Sequence, residues 1–266
     1  MEQDAEAVLR FMASNGLIAN PSKTTLLLLN ARSRLTTPFE IQIGKELVRQ
    51  ESSAKLLGMS FDDKQKWKPH IYGKGGLISA LNSRLFSIKR MKNNLNNEAL
   101  LKITDGLFTS KIRYGLQLMG SVRRNVEDPL NADLMAIQKI QNKLVRFLNK
   151  SKISDRINTS TLLTNLNMLS INQMNAQAKL VEMWKVTNTK NHPNSFQRQE
   201  PIEGSSVTRG CSKRRLIETG SNTLTLKTFK SDAARLWNSA PDSITKCETI
   251  NQVKKAVKIY VKSLPI

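Results

Sequence analysis

Asn15-Gly16-Leu17-Ile18-Ala19-Asn20-Pro21-Ser22-Lys23-Thr24 runs into the apolar stretch Leu26 to Leu29, and a second short segment, Ser53-Ala54-Lys55-Leu56-Leu57-Gly58-Met59, follows. Gly16 is a stop signal for the helix that Ala5, Val8, Leu9 and Met12 predict over Glu2–Ser14. Pro21 breaks the chain again, and Thr24 to Asn30 is predicted as a buried strand. Phe39, Ile41 and Ile43 alternate with polar residues and predict a second strand ending at Gly44. Lys55 to Phe61 predicts a third, with Gly58 allowing close backbone approach at a tight turn. One helix and three short strands are too little for a closed core of their own.

The pattern changes after Trp67. Leu77, Leu81, Leu85 and Ile88 form one helical stripe that ends in Lys89, Arg90 and Lys92. Asn96 or Asn97 is a candidate cap for a helix from Glu98 to about Met119, with Leu100, Ile103, Leu107 and Phe108 inward. Ala132 to Leu148 places Leu134, Ile137, Ile140, Leu144 and Phe147 inward and Lys139, Lys143 and Arg146 outward. Helices are also predicted at Thr159–Leu166, Ile171–Val186, Ser231–Asn238 and Thr249–Lys262. Between them, residues near 188–224 are rich in Asn, Ser, Thr, Gly and Arg, the composition of a flexible loop. The expected fold class is α+β, mainly α. The expected divisions are an α/β piece over 1–66, a helical bundle over 67–150 and a helical, loop-rich region over 151–266.

Charge is the second strong signal. The 266 residues hold 42 Lys and Arg against 21 Asp and Glu, a formal net charge of +21. Residues 1–50 contribute +1, and 51–150 and 151–266 contribute +10 each. An excess of this size acts at long range on polyanions and points first to nucleic acid, with an acidic membrane surface as the competitor. Cys211 and Cys247 are the only cysteines and His70 and His192 the only histidines, and their spacing fits no zinc site. Reduced thiols in an intracellular protein, nuclear or cytoplasmic, are expected. No apolar run approaches the roughly 20 residues of a membrane span, so no membrane partner is expected.

The order of these segments carries a resemblance. The chain resembles the C-terminal half of a reverse transcriptase from a non-LTR (LINE-type, jockey-like) retrotransposon. Asn15 to Thr24 resembles the Gly-Leu-x-x-Asn-x-x-Lys-Thr motif of the palm. Lys55 to Met59, followed by Trp67 and His70-Ile71, resembles the Lys-x-Leu-Gly-Val primer-grip hairpin and its exit. Leu107 to Gly115 resembles the thumb helix, and Ile137-Gln138-Lys139-Ile140-Gln141-Asn142-Lys143 the Leu-Gln-x-Ile-Gln-Asn-Lys helix. Ala234 to Pro241 resembles the Arg-Leu-Trp-Asn-Ser-Leu-Pro signature, with Ala240 in place of the usual Leu. The five motifs occur in family order and span nearly the whole chain.

The resemblance implies a palm remnant with a primer grip at Leu56, Leu57 and Gly58, a thumb and a C-terminal region. It implies an RNA-directed DNA polymerase whose intact form uses Mg²⁺ held by aspartates. Those aspartates sit upstream of the helix matching Glu2–Ser14, so the chain is expected to begin too late to hold them. No cofactor is expected in this fragment, and by itself it is expected to be inactive. Lys23 matches the motif lysine that approaches the leaving pyrophosphate, an accessory catalytic role. Phe61-Asp62-Asp63 mimics an aromatic-Asp-Asp triplet but follows the primer-grip match, and is read as a solvated turn. Lys89, Arg90, Lys92, Lys111, Arg113, Lys139, Lys143 and Arg146 are candidate phosphate contacts to RNA or an RNA–DNA hybrid. The expected partners are nucleic acid and the missing N-terminal part of the polymerase. Trp184 and Trp237 are expected in the core. The alternatives are a domesticated basic helical nucleic-acid-binding module, or a non-functional relic.

Overall fold

A computed structural model describes residues 2–18, 20, 23–29, 39–43, 46–128, 131–188 and 229–265. The predicted loop near 188–224, with Cys211 and the Lys213-Arg214-Arg215 cluster, lies outside them, apart from Asn188. The fold is mainly helical, with two small antiparallel sheets of two strands each, so the α+β, mainly α expectation holds at that level. The chain forms two compact units, Met1–Ser79 and Ala80–Ile266.

In the first unit, α1 (Glu2–Ser14) ends where the sequence places its stop. Gly16 sits at φ +72. Its N–H donates to Ala13 C=O, and that of Leu17 to Met12 C=O. These two bonds form a Schellman motif and occupy carbonyls the helix leaves open. β1 (Glu40–Ile43) pairs antiparallel with β2 (Glu46–Arg49) in the register Ile41 to Val48. Buried Ile41, Ile43 and Val48 pack with Ala5 and Leu9 of α1 and with Leu26. Of the strand predicted over Thr24–Asn30, the described residues 24–29 show a single bridge, Leu26 to Gln50, with Leu29 exposed. A leucine run becomes a strand only where a neighbour pairs along its length; Gln50 and the Glu51 N–H, which donates to Leu26 C=O, are the pairing found here.

The predicted third strand is two strands. β3 (Ser53–Leu56) and β4 (Met59–Asp62) form a hairpin in which Leu56 opposes Met59. Its two central residues, Leu57 and Gly58, lie at φ +49 and +80. Positive φ at both positions is the type I′ combination that matches strand twist. α2 (Lys68–Tyr72) packs on β4, and the Ser60 N–H donates to Nδ1 of buried His70.

In the second unit, the helix expected over Glu98–Met119 is broken into pieces. α3 (Leu77–Met91) precedes it, with Leu81, Leu85 and Ile88 buried as predicted. α4 (Asn97–Thr104) is capped by Asn96, whose side chain accepts from the Ala99 N–H. Asp105–Thr109 forms a π-helical turn, in which the Ser110 N–H reaches back to Asp105 C=O. α5 (Ser110–Arg113) follows, and Gly115 at φ +72 leads into a 3₁₀ turn, Leu116–Leu118. The extra residue in the π turn shifts the helical phase. Phe108 is consequently fully buried, whereas Leu107, predicted inward beside it, is 43% exposed.

α6 (Ala132–Leu148) and α7 (Thr159–Asn165) form as predicted, each with an Asn N-cap. α8 (Ile171–Asn188) is the centre of the unit. It packs against α6, the 3₁₀ turn, α9 (Phe229–Asn238) and α11 (Ile250–Tyr260), with the short α10 (Asp242–Thr245) between the last two. α11 opens with a capping box between Thr249 and Gln252. Helices expected within 67–150 and within 151–266 thus share one unit. Trp184 and Trp237 are buried as expected. Among the described residues no helix is long and apolar enough to cross a membrane.

Candidate nucleic-acid interface

α6 is built as a two-sided helix. Leu134, Ile137, Ile140, Leu144 and Val145 are buried, and Lys139 and Lys143 stand exposed on the other side. Four residues apart, the two lysines are about 6 Å apart along the axis and share one stripe. Among the described residues neither forms an ion pair. Phe147 continues that stripe one turn on. Lys92 Nζ lies 4.7 Å from its ring centroid and Lys89 Nζ 5.8 Å. These cation–π contacts hold Lys89 of α3, and Lys92 of the 3₁₀ turn Lys92–Asn94 that follows it, against a ring of α6. Lys89 is exposed and Lys92 half-buried. Of the eight candidate phosphate contacts, Lys89 and Lys92 are thus held at Phe147, and Lys143 and Lys139 lie one and two turns before it on α6.

The other four are placed differently. Arg90 lies over the ring of Phe86 on its own helix, 5.8 Å away. Lys111 is half-buried. Arg113 is exposed but paired with Asp105 at 3.3 Å, which offsets its charge locally. Arg146 is turned into the loop after α6, where it donates to the carbonyls of Lys152 and Ile157. Its donors hold backbone, and a helix C-terminus is where a cation is electrostatically favoured.

Lys23 is exposed in the first unit, its N–H donating to Asn20 C=O. Leu56 and Leu57 project from the hairpin tip, Leu57 being 82% exposed. Asp62 faces its own turn: Oδ1 accepts from the backbone N–H groups of Lys66 and Trp67 at 2.8 and 3.1 Å. Phe61 packs on Trp67 with ring centroids 5.0 Å apart. Phe61 and Asp62 are thus the last residues of β4, with only Asp63 in the turn and all three half-buried rather than the solvated turn expected for this triplet. Among the described residues no three His, Cys, Asp or Glu side chains converge, so the residues present do not fit a two-metal centre and no step is drawn through one.

One polar cluster was not legible in the sequence. Lys179 of α8 is fully buried, and its Nζ donates to Asp232 Oδ2 and to Gly120 C=O, both at 2.7 Å. Asp232 Oδ2 also accepts from the Val122 N–H at 2.9 Å, and its Oδ1 pairs with Arg235 at 2.7 Å. Burial pulls the Lys179 ammonium below the usual lysine range, with the Asp232 charge opposing it. One turn earlier, Asn175 donates to Met119 C=O. Asn172 accepts from the Arg123 N–H and donates to the Arg123 and Pro265 carbonyls. α8 thus fixes the backbone of 119–123, α9 and the chain end with side chains that read as surface residues. Arg235, the first residue of the Arg-Leu-Trp-Asn match, serves this cluster, while Trp237 and Ala240 of the same match are core.

Comparison with protein-family models, with curated proteins and with solved structures gave no match to this chain.

Proposed function

We propose that the chain is the non-catalytic part of a non-LTR retrotransposon reverse transcriptase. In this reading it binds primer–template or element RNA through the phosphate backbone. The observation that carries it is a set of four lysines, Lys89 and Lys92 held at the Phe147 ring and Lys139 and Lys143 exposed on the preceding turns of α6, on a chain of net charge +21. Cations on a helix surface suit backbone recognition of an A-form helix. The hairpin tip at Leu56, Leu57 and Gly58 supplies a primer grip, and Lys23 an accessory cation for the intact enzyme. The parent would be an RNA-directed DNA polymerase dependent on Mg²⁺, and this chain alone is inactive.

The test is anisotropy of a labelled RNA–DNA hybrid against salt. Binding should weaken steeply as salt rises, and Lys139→Gln with Lys143→Gln should reduce the slope by about two, roughly one per lost contact. Affinity indifferent to salt overturns the reading. Primer extension with magnesium should give no product, and nucleotide incorporation overturns the claim of inactivity.

The buried Lys179–Asp232–Arg235 cluster favours a second reading. A unit that spends a buried ion pair on fixing its loops suits an adapted basic binding module better than a relic. A cooperative thermal transition supports the module; a broad, non-cooperative melt removes it.

A further inference from the structure

The second unit contains a cavity of about 290 Å³, and nothing above gives it a role. Its walls come from α4, the π-helical turn, α5, the loop after α7, α8 and α11. π turns inside α-helices recur at functional sites, because the extra residue re-aims neighbouring side chains.

The cavity lining carries two kinds of group. Leu101 and Met174 give it an apolar wall, and methionine adapts readily to the flat face of a ring. Arg113 and Lys258 supply cations, with Asp105 compensating only one of them. Thr104 and Gln177 also line it. Thr104 is 1% exposed, and its hydroxyl has no hydrogen-bond partner. A mid-helix threonine ordinarily bonds a carbonyl one turn back. A buried hydroxyl left open is unfavourable, so an orphan beside a cavity is a reason to look for a ligand.

We propose that this cavity takes one unpaired nucleotide, its base against the Leu101–Met174 wall and its phosphate on Arg113 and Lys258. The volume is at the lower limit of small-ligand sites, which begin at roughly 300 Å³. That is room for one nucleotide and excludes a duplex. This inference rests on the nucleic-acid reading above and deepens it: the chain would hold a helix on its basic surface and a single-stranded nucleotide in this pocket.

The experiment is calorimetry on the full chain with each ribonucleoside 5′-monophosphate, with inorganic phosphate, and separately with an RNA–DNA hybrid. Mononucleotide binding is expected, weakened about tenfold by Lys258→Gln, as for loss of a hydrogen bond to a charged group. Thr104→Val, which keeps the shape and removes the orphan hydroxyl, should weaken it about fivefold, as for one neutral bond, without lowering the melting temperature. Hybrid binding without mononucleotide binding overturns the pocket and leaves the proposed function standing. Phosphate bound as tightly as the nucleotides, or affinities unmoved by both substitutions, also overturns it. Mononucleotide binding that responds to both substitutions, with no hybrid binding, supports the pocket and removes the backbone-binding reading.

Discussion

Lys179 Nζ lies 2.7 Å from Asp232 Oδ2, with the two side chains 0% and 1% exposed, and this pair joins α8 to α9 across 53 residues of sequence. Breaking a buried pair leaves an uncompensated charge, at a cost of about 3–5 kcal/mol. Lys179→Met is therefore expected to destabilise the second unit by that order, since the Asp232 charge keeps only Arg235 and the Val122 N–H. Asp232→Asn should cost a similar amount. The double variant should cost clearly less than the sum, because the residues are in contact. Urea denaturation of the four proteins checks this, and strict additivity would show that the pair carries no coupling.

Gly120 occupies φ +65, and a Cβ there would lie 2.3 Å from Asn131 Nδ2. Asn131 cannot swing aside freely, because its Oδ1 accepts from the Asp133 and Leu134 N–H groups and caps α6. Gly120→Ala thus combines left-handed backbone strain of about 1–2 kcal/mol with loss of a cap worth about 1 kcal/mol. Asn131→Ala should show the cap cost alone. Equal losses in the two variants, measured by thermal melting, would argue against the clash.

Leu57 holds φ +49 at the hairpin tip while 82% exposed, so it gains little packing in exchange for the strain. Leu57→Asn gives the turn the Asn-Gly pair that type I′ geometry prefers, and should raise stability by about 1 kcal/mol. A lower melting temperature would show that Leu57 contributes packing that its exposure does not suggest.

Asp128 accepts from the backbone N–H groups of Asn125 and Arg124, and the Asn125 bond is the largest cause holding its carboxyl below the ordinary 3.8, with burial opposing. The folded state prefers the carboxylate, so this contribution is complete above the unfolded value and is lost as pH falls through the depressed folded one. Asp128→Asn should be less stable than the parent at neutral pH and converge with it in acid. Carbon-detected NMR titration of the Asp128 carboxyl should give a midpoint below 3.8; one at or above it would refute the assignment.

Local signals determined much of this fold. The Gly16 stop, the Asn96 cap, the alternation of Ile41 and Ile43 and the 3.6-residue stripes of α3 and α6 depend on near neighbours in sequence, and each formed where its residues place it, except that Phe147, expected inward, is half-buried on the lysine side of α6. The exposed lysines of α6 followed from the same stripe. Tertiary structure decided what depends on distant partners. Leu26 to Leu29 reads as a strand, yet pairing requires a neighbouring backbone, and among the described residues it forms a single bridge, to Gln50. Leu107 reads as core, yet the π turn rotated it out. Lys179 reads as a surface lysine, because the Asp232 carboxylate and Gly120 carbonyl that make its burial tolerable lie more than fifty residues away. A charge can be buried only where a partner is brought to it, and that meeting is a property of the fold.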